Sequence, residues 1–445
     1  MESRYYLLSF SVSGIKNIEK EITLDFYNKT IDKAFNPEKF KVKAIYGENG
    51  SGKTAIVTAA RILKNLIISE DYFGDKDIQK KLQKLVNKKT KKLDISSIFL
   101  ARGKDRQGSI VYKYTIEIAL NPAGKFELAR EELSRKSGDY TSSKYKVVYK
   151  CENNLITDIS LGEDSEKEFT SLAINRLGKT SFAFIALNGI RVVGLQPDNS
   201  EFHVAIYDTS LFAFNTYVSI EESDKHDAYL YSEELKNAKT SDEYVEAYSR
   251  FRSQMDLMIQ DGRKTIPKKR YKSYVEEIKR LTAFVKLFKQ DLVSIDIDKR
   301  ENSDMYETSL LMNYGDYSVD LEFESTGIKR IIKMFNYMCC AVSGSIVFID
   351  EMDSNINDVY LTKLVEFFLL YGEGQLCFTT HNTSPMAALR RNKKSIDFIS
   401  NDNRIVSWTT NGNFAPDKLY KQGMIEYLPF NIEAEDFLGI LEEQL

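Results

Sequence analysis

An α/β fold built on a substantially parallel sheet is predicted by three features of this 445-residue chain. The short apolar strand Lys43–Tyr46 runs straight into a glycine-rich turn, and an unbroken Ala-, Ile- and Leu-rich helix follows from Thr54 to Ser69. Far downstream, Ile346–Ile349 is continuously apolar, as strands buried on both faces are, and it ends in Asp350 and Glu351. Around these landmarks strand and helix alternate, the pattern of βαβ crossovers rather than of a sandwich.

Composition narrows the field. With 42% apolar and 29% charged residues the chain reads as an ordinary globular protein, not a disordered one. Its 62 Lys+Arg against 65 Asp+Glu leave a net charge of −3, which excludes a generally basic nucleic-acid coat protein but leaves room for local patches. The length corresponds to roughly three units, or to one large domain with insertions. Four cysteines (Cys151, Cys339, Cys340, Cys377) and three histidines (His203, His226, His381) show neither a disulfide framework nor the paired spacing of a zinc site. No stretch approaches the ~18–20 apolar residues of a membrane span. The charged start, Met1–Leu8, lacks the apolar core of a signal peptide. The expectation is a soluble, cytoplasmic protein with no membrane partner.

In chain order, Tyr5–Val12 and Ile22–Phe26 read as strands about a turn at Ser13-Gly14. From Leu93 to Leu133 the pattern is β, with Ile110, Tyr112, Tyr114, Ile116 and Ile118 alternating before a turn at 121–124; Lys146–Tyr149 is a further strand. Residues 158–208 carry mixed signals and receive no assignment. A capping box at Thr240–Glu243 precedes Tyr244, Tyr248, Phe251, Met255 and Met258, spaced 4, 3, 4, 3. Beyond breakers at Asp261, Gly262 and Pro267, the same spacing recurs in Tyr274, Ile278, Leu281, Val285 and Phe288. Two such seams read as an antiparallel helical hairpin, a short coiled coil inserted in the chain. Strands at Val293–Ile297, Glu307–Met312 and Val319–Phe323, helices over 326–343 and 359–371, and a strand at Leu376–Thr379 follow. The implied units are 1–220, containing the glycine turn and the β-rich lobe, the 221–292 hairpin, and 293–445.

Gly47-Glu48-Asn49-Gly50-Ser51-Gly52-Lys53-Thr54 matches G-x-x-x-x-G-K-[ST]. The glycines let backbone N–H groups turn inward on phosphate oxygens, Lys53 supplies a point charge to the β- and γ-phosphates, and the Thr54 hydroxyl suits Mg²⁺. The helix that opens here adds its positive end. Asp350, at the end of the apolar strand, fits the same Mg²⁺, and Glu351 is placed to orient or deprotonate an attacking water. A third element, Phe378-Thr379-Thr380-His381, delivers a histidine to a strand exit; a fourth, Glu324–Arg330, opens a helix with small residues suited to phosphate contact.

The order of these motifs resembles the ABC-type ATPase heads of the SMC, RecF and OLD group. The AAA15-type ATPases of abortive-infection and phage-defence systems are the nearest pattern. Their E-S-x-G-x-K/R, I-D-E-x-D-S and T-T-H-[ND]-T stretches are similar to Glu324–Arg330, Ile349–Ser354 and Thr379–Thr383. The resemblance covers both ends of the chain and only the general style of its middle. It implies a P-loop ATPase head with a β-rich N-terminal lobe and an inserted hairpin, working with ATP and Mg²⁺ as a homodimer or higher homo-oligomer. ATP would lie between the loop of one protomer (Gly47, Asn49, Gly50, Ser51, Gly52, Lys53, Thr54) and the Ser325/Gly327 signature of the other. Glu351 would be catalytic, His381 would sense the γ-phosphate, and Asp353 would lie in the segment crossing the interface. Lys16 and Asn17 align with a basic-Asn pair that contacts nucleotide in relatives. Three departures stand out: the signature is not L-S-G-G, Asn357 replaces a frequent His, and neither Gln107 nor Gln196 matches a Q-loop glutamine.

Residues 382–445 leave no room for the Toprim nuclease of OLD proteins, so the resemblance implies a separate effector protein. The chain would then be the sensor or switch of a PARIS- or Septu-like defence pair, open to a phage trigger protein. Two basic clusters, Lys80, Lys81, Lys84, Lys88, Lys89, Lys91, Lys92 and Arg263, Lys264, Lys268, Lys269, Arg270, Lys272, are either solvated helix ends or contacts for a nucleic-acid backbone. A RecF-like DNA-repair ATPase and an ATP-bound assembly scaffold with little turnover are the competing readings.

Overall fold

A computed structural model describes residues 4–28, 30–103, 108–220, 262–392, 394–409 and 415–425. Among these, three sheets organise a mixed α/β structure. The central one is six-stranded, in the order β17-β16-β3-β15-β14-β9. It comprises β3 (Val42–Gly47), β9 (Thr216–Ser219), β14 (Ile346–Ile349), β15 (Gln375–Thr379) and β16 (Ile396–Ile399), all parallel, with β17 (Ile405–Ser407) antiparallel at one edge. Alternate side chains of these strands serve opposite cores. Ile45, Ile346, Phe348 and Cys377 join one cluster, whereas Ala44, Tyr46, Val347, Ile349, Leu376 and Phe378 join the other. Burial on both faces is why these strands are apolar without alternation.

The first cluster lies between this sheet and a seven-stranded antiparallel one, ordered β2-β1-β4-β5-β6-β7-β8. Its strands are β1 (Arg4–Ser13), β2 (Ile22–Asp25), β4 (Lys92–Arg102), β5 (Ser109–Leu120), β6 (Phe126–Ser137), β7 (Lys146–Glu152) and β8 (Leu155–Ile159). Helix α1 (Lys53–Ile68) fills the space between, burying Ile56, Leu63 and Leu66 completely or nearly so; each such side chain contributes ~1.5–3 kcal/mol. Helix α2 (Lys76–Leu85) is capped by Asp75, whose carboxylate accepts from the Asp77 and Ile78 N–H groups. The region without a sequence assignment supplies α3 (Glu163–Ala173), α4 (Phe182–Asn188) and α5 (Ser200–Phe214), which cover the same core. Its helices are short, and α5 is apolar nearly all round, so no clean 3.6-residue period marked them.

The second cluster packs α7 (Thr326–Val342) and α8 (Asp358–Tyr371) on the other face of the central sheet, with α6 (Tyr271–Lys286) beside them. Here the structure differs from the predicted hairpin geometry. The seam Tyr274, Ile278, Leu281, Val285 is buried in this core, and Phe284 meets Phe335 of α7 at 5.2 Å between ring centroids. The segment expected to be a breaker-rich hairpin tip is strand β10 (Lys264–Pro267), antiparallel to β12 (Met305–Asn313), which also pairs with β11 (Ser294–Asn302) and β13 (Ser318–Asp320). Pro267 is tolerated because it ends an edge strand. The first seam, Tyr244 to Met258, lies outside the described residues. No helix among the described residues is long and apolar enough to cross a membrane.

One buried ion pair ties two neighbouring strands of the central sheet together. Lys43 Nζ of β3 lies 2.7 Å from Asp397 Oδ2 of β16, with both side chains essentially inaccessible. Ser407 of β17 donates to the other oxygen at 2.6 Å. Removing either charge alone costs about 3–5 kcal/mol, because the survivor stays buried and unpaired.

Candidate functional site

The carboxyl ends of β3, β15 and β14 lie side by side, and every sequence motif except the Glu324–Arg330 helix start and the Lys16-Asn17 pair emerges there. After β3 the loop turns through two left-handed glycines, Gly50 (φ 81°) and Gly52 (φ 108°), into α1. At Gly52 a Cβ would sit 2.9 Å from the Ile18 side chain, whereas at Gly50 it would meet nothing within 4 Å. The first glycine is demanded by packing as well as dihedral; the second leaves an open approach to the loop. Gly47 is closed in turn by the Ile399 carbonyl, 2.4 Å from any Cβ built there. Lys53 folds back over the loop, Nζ donating to the carbonyls of Gly47 (2.7 Å) and Glu48 (2.9 Å). Burial lowers its pKa, against the pull of Asp350, Glu351, Asp353 and Glu48. The Ser51 hydroxyl is buried without a partner, Thr54 opens α1, and Asn49 is exposed at the loop's crest.

Asp350 leaves the sheet still buried, only 7% exposed. Its Oδ1 accepts from Thr379 Oγ1 at 2.7 Å, and that same hydroxyl oxygen accepts from the Glu351 N–H at 2.7 Å. Thr379, at the end of β15, thus ties the two acids of β14 together. Glu351 sits in the left-handed region (φ 49°) with an exposed side chain, accepting from Ser354 Oγ at 3.1 Å. A non-glycine residue held there costs about 1–3 kcal/mol and persists only where neighbours over-determine it. Those neighbours are Thr379 on its N–H and Arg330 of α7, whose terminal nitrogen donates to the carbonyls of Asp350 (2.9 Å) and Glu351 (2.8 Å).

Asp353, expected in a segment that crosses the interface, is engaged within its own chain. Its Oδ2 accepts from the N–H groups of His381 and Asn382, both at 3.1 Å, so it shapes the loop after β15; Oδ1 is buried without a partner. Asp353 and His381 share the wall of a cleft of about 590 Å³ that Asp358, Thr383 and Lys421 also line. Burial lowers the His381 pKa, Lys53 lowers it further, and the three acids Asp353, Glu351 and Asp350 oppose both. The charged groups of the P-loop, the β14 exit and the β15 exit therefore lie within one another's field.

Ser325 and Gly327 stand at the start of α7. Ser325 caps it, accepting from the Ile328 N–H at 3.3 Å while remaining exposed. A Cβ on Gly327 would come within 3.3 Å of the Asn355 carbonyl, so the helix start touches the loop that follows Glu351. The Lys16-Asn17 pair forms a tight turn beside the P-loop: Asn17 Nδ2 donates to the Gly50 carbonyl at 2.6 Å, and Lys16 takes a φ of 50°. Lys16 is held through its backbone, its N–H on Leu85 at 2.6 Å and its carbonyl accepting from Asn87 at 2.7 Å. The first basic cluster runs from the second half of α2 to the start of β4 and is partly neutralised, with Lys89 near Glu19 and Lys92 near Asp94 and Glu117. In the second, Arg263 pairs with Glu322 at 2.7 Å. Gln196 is exposed on a loop, and Gln107 lies outside the described residues.

The donor set suits magnesium bound with a phosphate. Mg²⁺ takes one or two carboxylates plus substrate oxygens rather than an all-protein cage. Here Asp350 offers one oxygen unengaged by Thr379, the Thr54 hydroxyl in the first turn of α1 is an oxygen ligand of the same hard type, and the orphaned Ser51 hydroxyl lacks any acceptor. Among the described residues no cluster of three or more His, Cys, Asp and Glu competes for a metal.

Sequence reasoning quoted Thr379 and Arg330 within motifs but gave neither a role. The signal available was their position, one at the last residue of a buried strand and one facing inward from a capped helix.

No family model and no curated protein matches this chain. Among solved structures it is similar to an Smc head domain with an extended coiled coil, bound to the C-terminal domain of ScpA, from Pyrococcus furiosus. That likeness has 15% identity and a TM-score of 0.41, covering 91% of this chain and 96% of that chain. It is also similar to an Smc head domain with a coiled coil and joint from Pyrococcus yayanosii, at 13% identity and a TM-score of 0.40, covering 91% of this chain and 98% of that chain.

Proposed function

We propose that this chain is a Mg-ATP-dependent ATPase of the ABC type that assembles through its nucleotide site. The observation that carries the reading is the convergence of Lys53, Asp350, Glu351 and His381 at neighbouring strand exits, where their charges act on one another. The P-loop amides and Lys53 would bind the β- and γ-phosphates, with Lys53 exchanging its two loop carbonyls for phosphate oxygens. Thr54 and Asp350 would hold Mg²⁺, which supplies charge neutralisation on the phosphates. Glu351, exposed at the edge of the site, would orient water for attack on the γ-phosphate and accept its proton. His381 would donate a hydrogen bond to the γ-phosphate, and its lowered pKa keeps the ring neutral near pH 7. Asn17, by holding the Gly50 carbonyl, would set the loop's curvature rather than touch the base itself.

Ser325 and Gly327 would serve the partner's nucleotide, since Ser325 is presented to solvent at a helix N-terminus. Following the motif resemblance, the assembly would act as the sensor or switch of an antiphage pair and control a separate effector, a nuclease by class. A RecF-like role would instead show ATP-dependent duplex binding that falls steeply with salt. A scaffold would bind ATP without turning it over.

Turnover separates these readings. Glu351→Gln is expected to keep ATP bound and to stabilise the assembly in size-exclusion chromatography with light scattering, while Lys53→Ala weakens nucleotide binding by about 100-fold. Unchanged phosphate release by Glu351→Gln would refute the catalytic assignment.

A further inference from the structure

The helix that opens with Ser325 and Gly327 reaches back to the residue assigned to water activation. Arg330 lies one turn and a half into α7, 5% exposed, and its terminal nitrogen bridges the carbonyls of Asp350 and Glu351 at 2.9 and 2.8 Å. The Nε of the same side chain is buried with no partner. A guanidinium left partly unsatisfied in the interior is costly, so its retention asks for a use beyond packing.

The use is visible in the backbone it grips. Glu351 is left-handed at φ 49°, and its peptide neighbours are clamped on both sides, by Thr379 on the N–H and by Arg330 on the carbonyl. Releasing either clamp lets Glu351 relax toward an ordinary dihedral and swings its carboxylate away. The start of the same helix touches the Asn355 carbonyl through Gly327, at the far end of the loop that Glu351 begins. One helix therefore meets both ends of the 351–355 segment.

Resting on the ATPase reading above, we propose that Arg330 is a positioning residue for Glu351. Through it, the helix that presents Ser325 and Gly327 sets the carboxylate of its own protomer. It touches neither nucleotide nor water; it acts through the Asp350 and Glu351 carbonyls.

The test uses the full chain and compares wild type, Arg330→Met, Arg330→Lys, Glu351→Gln and the Arg330→Met/Glu351→Gln double variant. Phosphate release at saturating Mg-ATP is measured alongside affinity for a fluorescent ATP analogue. Misplacing a catalytic group by about 1 Å costs on the order of 100-fold, so Arg330→Met is expected to lower kcat by about that factor with affinity changed less than about twofold. Arg330→Lys, whose ammonium can also serve carbonyls but lacks the guanidinium's reach and fork, is expected to recover turnover only in part, to about tenfold below wild type. In the Glu351→Gln background, Arg330→Met is expected to add nothing, because residues that act as one unit are not additive.

A merely structural Arg330 gives a different pattern, with lost ATP affinity and losses that multiply in the double variant; that pattern overturns the proposal. So does turnover of Arg330→Met within about twofold of wild type. If Arg330→Met does not fold, Arg330→Lys decides by the same split: turnover equal to wild type overturns the proposal, and reduced kcat at unchanged affinity supports it. Equal phosphate release by wild type and Glu351→Gln sinks the ATPase reading itself. A large Glu351→Gln effect with silent Arg330 variants sinks only the role of Arg330.

Discussion

Buried acids are treated in opposite ways in the seven-stranded sheet and at the central sheet's carboxyl edge. Glu131 of β6 is wholly enclosed and fully served: Tyr114 OH (2.8 Å), Tyr149 OH (2.6 Å) and the Ala183 N–H (3.2 Å) donate to one oxygen, and the Phe182 N–H (2.6 Å) to the other. It satisfies the first turn of α4, whose N–H groups have no helical partner. Burial pushes its carboxyl pKa up, and the four donors pull it back. At the central edge, by contrast, Asp353 Oδ1 and Ser51 Oγ are buried and unpartnered, Lys53 borrows loop carbonyls, and Glu351 is strained. A saturated acid holds a fold together. On the ATPase reading, the unsaturated groups crowded at one sheet edge would hold valence in reserve for bound Mg-ATP.

That contrast can be broken by substitution. Glu351→Gln is expected to lower ATP turnover by about 10³-fold without loss of ATP binding, since a positioned base contributes 10²–10⁴-fold; single-turnover phosphate release checks it. Lys53→Ala is expected to weaken Mg-ATP binding by about 100-fold, the worth of a charged hydrogen-bonding group, by calorimetric titration. Glu131→Gln is expected to do the reverse, costing about 2 kcal/mol of stability by setting an amide against N–H donors while turnover per folded molecule holds; denaturant unfolding and active-site titration measure the two together. Thr379→Val is expected to lower kcat by about tenfold or more in steady-state phosphate release, as the hydrogen bond to the Asp350 carboxylate and the one accepted from the Glu351 N–H are both lost.

The smallest effect is a titration. Burial first, and Lys53 second, hold His381 below the ordinary 6.5. The native state then binds fewer protons there than the unfolded chain does. Its contribution to stability is complete above pH 6.5 and is lost as pH falls through the lowered value. The His381 NMR midpoint should lie under 6.5 and rise in Lys53→Ala. An unmoved midpoint would separate the histidine from the phosphate loop.

The elements read most directly from sequence are those whose local pattern and tertiary role coincide. Val42–Gly47, α1, β14 and β15 are apolar because both sheet faces are covered, and their motifs fall at strand exits by chain geometry alone. Residues 158–208 resisted because α4 and α5 are short or apolar all round, so that no amphipathic stripe distinguishes them from buried strands. The Tyr274–Val285 seam was legible as a helix, but its heptad spacing fits burial against α7 as well as a coiled coil, and only the fold chooses. Arg330 and Thr379 were invisible as site residues for a related reason. Arg330 grips two carbonyls and Thr379 takes the Glu351 N–H beside the Asp350 carboxylate, and backbone partners leave no mark in side-chain spacing.

The sheet order has a consequence for synthesis. Strand β3 is flanked by β15 and β16, whose residues are made more than 300 positions later. Until they emerge, the glycine loop has no walls, and Lys43 has no Asp397. The glycine loop is therefore among the first segments translated and among the last to be walled in. A nascent chain released early would carry the motif intact and yet lack the strands on either side that hold it in place.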